Sequence, residues 1–469
     1  MLATRKSQDA VAGRIRLSFR RKSPASQAEP PGGRSTSRVA PPLPPPLAST
    51  MKPQAVRRGL GEGMMGVGRK RRGSRTLGLV LSGGGARGAF HVGVYERLLE
   101  DPRFADGPTV ISGTSAGGIN AALIAAGKSP RELLQFWKEI GDDPPVTANG
   151  AFFGGALRTL LRLTAEETAR WVASGRPLRA LVRRLRHHLA PGPGELLALW
   201  VEYLLTARFE LVSRLLEGIR EPYLFDTARL RARLVEAVGG ERIPSHGLRL
   251  ALNTVDAHTG RVVRYVTAPA PLPRSPDYIV VDAITVDMVL ASASIPLLFP
   301  PVAIGPHLLW DGGLLVNTPL APAVALGAEE IVAVLVTEPP DPSPGPFAHF
   351  GRAVERTVDS FLENAYNIDR KLLLERNRLT RLRGGPYREV ILYDAIRPGR
   401  EVGFTAGSYL YFEGGILTAM RDAGRRATSA WLAAGPHVDR LEATGGGSRT
   451  PRRHSLGLPA SERPVPGSA

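Results

Sequence analysis

The sequence predicts an α/β protein whose central sheet is mostly parallel and covered by helices on both faces. Three observations carry the prediction. Leu77–Leu81 is a short apolar strand that runs into a glycine loop and then a helical stretch, Ala89–Glu100. Val110-Ile111 ends a second strand that passes through Gly113–Gly117 into a run of small helix formers up to Ala126. Farther on, Ile331–Val336 is apolar without interruption, as a strand covered on both faces requires.

At 469 residues the chain can bury a sizeable core in one to three domains, and its 43% hydrophobic content is ordinary for a globular protein. The absence of cysteine excludes disulfides, thiolate metal sites and cysteine nucleophiles, and gives secretion no support. Arginine far outnumbers lysine, and Ala, Gly and Pro are abundant, a bias that a GC-rich genome produces. The net charge of +18 is uneven: residues 1–75 hold 17 Lys+Arg against 3 Asp+Glu, which leaves about +4 for the rest. A nucleic-acid partner would rest on that tail alone, and none is expected.

Residues 1–75 hold Arg20-Arg21-Lys22, a proline tract over 41–46 and Arg69-Lys70-Arg71-Arg72, with little apolar periodicity. Such a segment cannot bury enough surface to offset its ordering entropy, so a disordered tail is expected. Arg5–Lys22 has the composition of an organellar transit peptide; a later start at Met51, Met64 or Met65 and a membrane- or partner-binding tail are the other readings. No apolar h-region follows the early charges, and no run of about 18 apolar residues occurs, so neither a secretory signal nor a transmembrane anchor is expected. The expectation is a cytoplasmic protein, with peripheral membrane contact as a further option.

After the first strand come Ser82-Gly83-Gly84-Gly85-Ala86-Arg87-Gly88 and a helix whose face is Val92, Tyr95, Leu98 and Leu99. Strand, glycine loop and helix N-terminus form an anion-binding geometry of backbone N–H groups and helix dipole. Gly83-x-Gly85-x-x-Gly88 matches the dinucleotide fingerprint, but that fingerprint needs a carboxylate at the end of the next strand. The next strand ends instead in Gly113-Thr114-Ser115-Ala116-Gly117. That Gly-x-Ser-x-Gly pattern, between a strand and a helix, is how a serine is held on a tight elbow as a nucleophile; a plain structural turn is the bland reading. An oxyanion loop one βα unit before a nucleophile is a coherent pair, and it is the preferred reading of the glycine loop.

The middle of the chain is helical around Arg131–Ile140. From 156 to 189 and 195 to 219, leucines and valines alternate with arginines at helical spacing, with Leu178, Leu181, Val182, Leu185 and Leu189 on one face. These are either ordinary surface helices or a basic amphipathic cap touching an anionic lipid surface. His187 and His188 are adjacent and diverge by about 100° on a helix, so they cannot share a metal and are read as surface residues. Phe225-Asp226 with Leu230 and Leu234 opens another helix. Leu248–Asn253 and Val262–Val266 read as strands around the turn Asp256–Gly260, and 289–301 as a helix end stopped by prolines.

Leu308-Leu309-Trp310-Asp311-Gly312-Gly313 places an aspartate at the end of an apolar strand. It is either a turn-forming Asp-Gly or a catalytic base that the glycines allow substrate to approach. His91 lies on the helix after the glycine loop, and His258 and His307 fall in turns. Ser115 therefore reads as half of a two-residue Ser–Asp site.

These elements, in this order, resemble the patatin-like phospholipase family. The resemblance rests on Gly83–Gly88 with Arg87, on Gly113–Gly117 and on Asp311-Gly312-Gly313. Ala291-Ser292-x-x-Ile295-Pro296-x-x-Phe299-x-Pro301 and Asn317-x-Pro319 belong to the same pattern, which covers about 77–335. It implies a three-layer α/β/α fold and a Ser–Asp dyad acting on lipid acyl esters at a membrane surface, with no metal or cofactor in the chemistry. Ser115 would be the nucleophile and Asp311 the base. Backbone N–H groups of the Gly84–Gly85 loop, with Ala116, would form the oxyanion hole, and Arg87 would order the loop. The alternative on the same fold is a catalytically silent lipid-binding or regulatory protein. The chain departs from the family in its Arg/Leu-rich insertion at about 150–222. Residues 336–442 would complete the domain with helix 347–382, strand 389–393 and a closing helix over 413–432; residues from 443 would form a second disordered tail.

Overall fold

The computed structural model describes residues 75–174, 209–267, 275–339, 350–383, 388–399, 402 and 406–439. Contacts divide the chain into Met1–Gly66 and Val67–Ala469, and every described residue lies in the second unit. The tails expected at both termini, apart from Arg75, and the helical face 178–189 with His187 and His188 lie outside the described residues.

The first half contains β1 (Leu77–Leu81), α1 (Gly88–Leu99), β2 (Val110–Gly113), α2 (Ala116–Ala125), α3 (Pro130–Asp142), β3 (Thr147–Ala148), α4 (Gly150–Ala173) and α5 (Phe209–Gly218). Then follow β4 (Phe225–Asp226), α6 (Ala228–Val238), β5 (Arg249–Asp256), β6 (Val262–Val266), β7 (Tyr278–Val280), α7 (Val286–Ser292), β8 (Val302–Ile304) and β9 (His307–Asp311). The described part closes with α8 (Leu320–Ala325), β10 (Glu330–Val334), α9 (Phe350–Arg383), β11 (Ile391–Leu392) and α10 (Gly414–Ala434).

The main sheet runs β11-β10-β1-β2-β5-β6-β7. It is parallel from β11 to β5, and β6 and β9 both pair antiparallel with β5. Alternation along the strands sorts the core into two layers. Leu79, Leu81, Ile111, Val332 and Val334 pack with α1, α2, α3 and α10 on one face. Val80, Val110, Ala251, Ile331 and Ala333 pack with α8 and α9 on the other. Helix, sheet and helix thus form the three-layer α/β/α sandwich that the sequence predicts, with α4 and α5 between α3 and β4.

One detail of register positions the site. β6 occupies one edge of β5 from Ala251 to Val255. The other edge is shared: β2 pairs with it up to Leu252, and β9 takes over at Thr254. Where β2 turns away, β9 arrives from the opposite direction, and its last residue, Asp311, lands opposite Thr254. Gly113, opposite Leu252, is two residues before Ser115. Two distant segments therefore end at the same point on one strand.

Several local expectations are corrected. Phe225-Asp226 does not open a helix; it pairs with Thr147-Ala148, and the helix starts at Ala228, whose N–H is capped by the Asp226 carboxylate at 2.8 Å. His307 opens β9 rather than lying in a turn. The helix before Pro296 is already over at Ser292. β3, β7, β8 and α8 were too short for periodicity to register.

Candidate active site

Ser115 is the residue on which β2 becomes α2. Its backbone sits at φ 55°, ψ −125°, a left-handed conformation that L-residues rarely hold without compensation. The glycines beside it are sterically required. A Cβ at Gly117 would stand 2.3 Å from the Leu81 carbonyl oxygen, and one at Gly113 would stand 2.4 Å from the Gly117 oxygen. Side chains hold the turn from below. The Ser115 N–H donates to Ser292 Oγ at 3.1 Å, and that hydroxyl donates to the Asn253 carbonyl at 2.8 Å. Asn253 Nδ2 donates to the Gly113 carbonyl at 2.9 Å, and Thr114 Oγ1 to the Val316 carbonyl at 2.8 Å.

Ser115 and Asp311, which the sequence paired across almost two hundred residues, meet: both residues are buried, and the Ser115 side chain is close enough to act on the Asp311 carboxyl. The Asp311 N–H donates to the Ser294 carbonyl at 2.8 Å, and its Oδ1 accepts the Gly313 N–H at 2.7 Å. Burial pushes the Asp311 carboxyl up to about 7, against the opposing pull of the nearby Ser115 side chain and the Gly313 N–H. A carboxylate tuned to neutrality beside a hydroxyl is the arrangement of a general base.

The glycine loop adjoins this pair. A Cβ at Gly83 would lie 3.2 Å from Ser115 Cβ. The Gly83 N–H is used by the Asn317 carbonyl at 3.0 Å. The Arg87 N–H bonds the Gly84 carbonyl, and the Gly88 N–H bonds those of Gly85 and Ala86. Among the described residues the N–H groups of Gly84, Gly85 and Ala116 have no acceptor, so the loop offers fewer donors than its six residues suggest. Asn317, buried, wedges between Gly83 and Gly313 and joins the loop to the Asp-Gly-Gly turn.

Arg87 faces away from solvent into a box of its own. Nε donates to Ser408 Oγ at 2.9 Å and Nη1 to the Val336 carbonyl at 3.1 Å; Asp359 lies 3.3 Å and Glu355 3.6 Å from the guanidinium. The Tyr409 ring stacks under it, 3.7 Å from centroid to Cζ. Gly85, at φ +54°, leaves no room beside the Tyr409 carbonyl, where a Cβ would approach to 2.1 Å. The loop is thereby fixed to α9 and to the turn at 406–409. Arg87→Met would take from the buried Asp359 its one cation among the described residues, leaving it the Tyr409 hydroxyl while Glu355 keeps Arg352, and is expected to lower unfolding stability by about 3 kcal/mol, read from the denaturant midpoint.

The sequence missed Ser292 as a backbone anchor and missed the Arg87 box. Glu355, Asp359 and Glu363 recur four residues apart on α9, a carboxylate stripe that was available as a signal. The histidines stand apart from the pair. His91 is buried against Asn120, and burial holds its imidazole neutral, down to about 3. His307 Nδ1 lies 2.8 Å from Asp256 Oδ2, about 13 Å of strand away from Asp311.

Fold and site together define an α/β protein with a serine on a strained turn beside a buried carboxyl, both placed along the β5 edge of the main sheet. A profile of the patatin-like phospholipases matches residues 79–324, more than half of the sequence, and the chain belongs to that family. Proteins of the NTE family from Mycobacterium tuberculosis and Mycobacterium bovis are 42% identical over 72 residues, 15% of this chain and 12% of theirs. The match therefore spans about an eighth of these relatives' length. Among solved structures, VipD from Legionella pneumophila aligns with 78% of this chain and 68% of its own, at 14% identity and a TM-score of 0.30. The type III effector ExoU aligns with 77% of this chain and 53% of its own, at 17% identity and a TM-score of 0.29. Among the described residues no helix is long and apolar enough to cross a membrane.

Proposed function

We propose that this chain is a serine acyl hydrolase that cleaves fatty-acyl esters of phospholipids or lysophospholipids. The observation that carries the reading is that Ser115, on its strained elbow, adjoins the buried Asp311 carboxyl, which burial pushes up to about 7. Asp311 accepts the Ser115 proton as Oγ attacks the ester carbonyl. The charge that develops on the carbonyl oxygen is met by the N–H groups of Gly84, Gly85 and Ala116, which are held in place beforehand by the Arg87 box and the elbow. Collapse returns the proton to the leaving alkoxide and leaves an acyl-Ser115 ester. Asp311 then takes a proton from water, the hydroxide attacks the acyl carbon, and the fatty acid departs as Ser115 recovers its proton.

The test is fatty-acid release from phosphatidylcholine and lysophosphatidylcholine by the purified chain, followed by mass spectrometry. Release by the wild type that disappears in Ser115→Ala supports the reading. Lipid binding without release by the wild type would instead mark a silent lipid-binding member of the family.

A further inference from the structure

The helices α4 and α5 pack antiparallel: Thr159 Oγ1 donates to the Gly218 carbonyl at 3.1 Å, and one turn or more along, Arg214 meets Glu166 at 2.6 Å. Thr159, Leu163 and Glu167 form the buried side of α4. The neighbouring side, about 100° around the helix, is apolar and open. Phe153, Leu157, Leu160 and Leu161 are spaced i, i+4, i+7 and i+8 and are 46–60% exposed. α5 adds Val212 and Leu216, one turn apart and 56% and 65% exposed. Contiguous exposed leucines on a helix face are uncommon on a surface that meets only water.

Charge says what the face meets. Beside it, Arg158, Arg162 and Arg220 line a cleft of about 430 Å³ with a single acidic neighbour, Glu221. Among the described residues Arg158 and Arg220 have no ion-pair partner, and Arg162 reaches Glu166 only at 3.7 Å. An apolar stripe with arginines along its flank is the pattern of a helix lying in the headgroup layer of an anionic bilayer.

Position ties this face to the catalytic pair. The Asn149 N–H, at the start of α4, bonds the Leu224 carbonyl at 2.9 Å, and the Leu224 N–H bonds the Leu297 carbonyl at 3.0 Å. Leu297 is three residues from Ser294, whose carbonyl holds Asp311, and it stands 71% exposed at φ +69°. Leu314 and Leu315, just past the Asp-Gly-Gly turn, are exposed as well.

We propose that the paired helices α4 and α5 form the surface by which this chain seats on a bilayer bearing anionic phospholipid, with the arginine cleft taking headgroup phosphate. The proposal rests on the hydrolase reading for its purpose, and its test is separable from it. The full chain is co-sedimented with vesicles of phosphatidylcholine mixed with phosphatidylglycerol, and with vesicles of phosphatidylcholine alone. Turnover of a soluble short-chain ester is measured beside it.

The wild type is expected to partition onto the mixed vesicles. Leu157→Ser combined with Leu161→Ser lowers that partition by roughly tenfold or more. Arg158→Glu combined with Arg162→Glu weakens binding to the mixed vesicles and leaves binding to phosphatidylcholine alone unchanged. Both variants keep the soluble-ester rate. Wild-type binding to both variants would overturn the proposal. So would a wild-type dimer that becomes a monomer in the leucine variant without vesicle binding, since a second copy would then cover the face. Leucine-dependent vesicle binding with no ester turnover would uphold the docking surface and remove the hydrolase reading.

Discussion

Ser115→Ala is expected to lower lipid-ester turnover by about four orders of magnitude or more, with the fold intact. The size follows from the division of labour in the site. Without Oγ there is no acyl-enzyme, and Asp311 has no nucleophile to activate. The remaining N–H groups could still polarise a bound carbonyl, which leaves a small residual rate with water as nucleophile. Removing one hydroxyl from a position fixed by Gly113, Gly117 and Ser292 leaves every backbone bond of the elbow in place. Thermal unfolding of the variant should therefore match that of the wild type while turnover vanishes. A fall in both together would mean that the loss is structural.

Asp311→Asn is the second large effect. An amide cannot take the Ser115 proton, so kcat should fall by about three to four orders of magnitude. The wild type carries a pH signature that the variant lacks. With the carboxyl at about 7, the base is protonated and idle in acid, so kcat/KM should rise tenfold per pH unit up to neutrality and level off above it. Stability has the opposite dependence. The folded-state value lies above the ordinary carboxyl range, so the native state binds the proton more tightly than the unfolded chain. That stabilisation is full below about pH 4 and is lost as pH rises through about 7, because a buried charge must then form. The variant never forms it. Asp311→Asn should match the wild type near pH 4 and gain on it steadily as pH rises to about 7, exceeding it in unfolding free energy by about 4 kcal/mol at pH 8. A constant difference across that range would mean that Asp311 ionises normally.

Much of this site was legible because its signals are local. A serine between glycines at a strand–helix junction, and a glycine run at the preceding one, specify their backbone conformations over five or six residues. Asp311 was legible as a strand end for the same reason. Long-range pairing was not. Nothing in the local sequence around β9 states that it runs antiparallel into the β5 edge that β2 vacates, yet that register brings Asp311 to Ser115. His307 looked like a turn residue beside Gly305-Pro306, although it begins a strand paired with β8. Arg87 was expected to order its loop, but its acidic partners on α9 lie more than 260 residues away and share no motif with it.

The most direct measurement is the site of covalent capture. The purified chain is treated with a fluorophosphonate, digested and mapped by mass spectrometry, with Asp311→Asn alongside. A phosphonylated Ser115 in the wild type, absent or far slower in Asp311→Asn, is the result that an activated serine–aspartate pair predicts. Modification at another residue, or equal labelling of both proteins at Ser115, would contradict it.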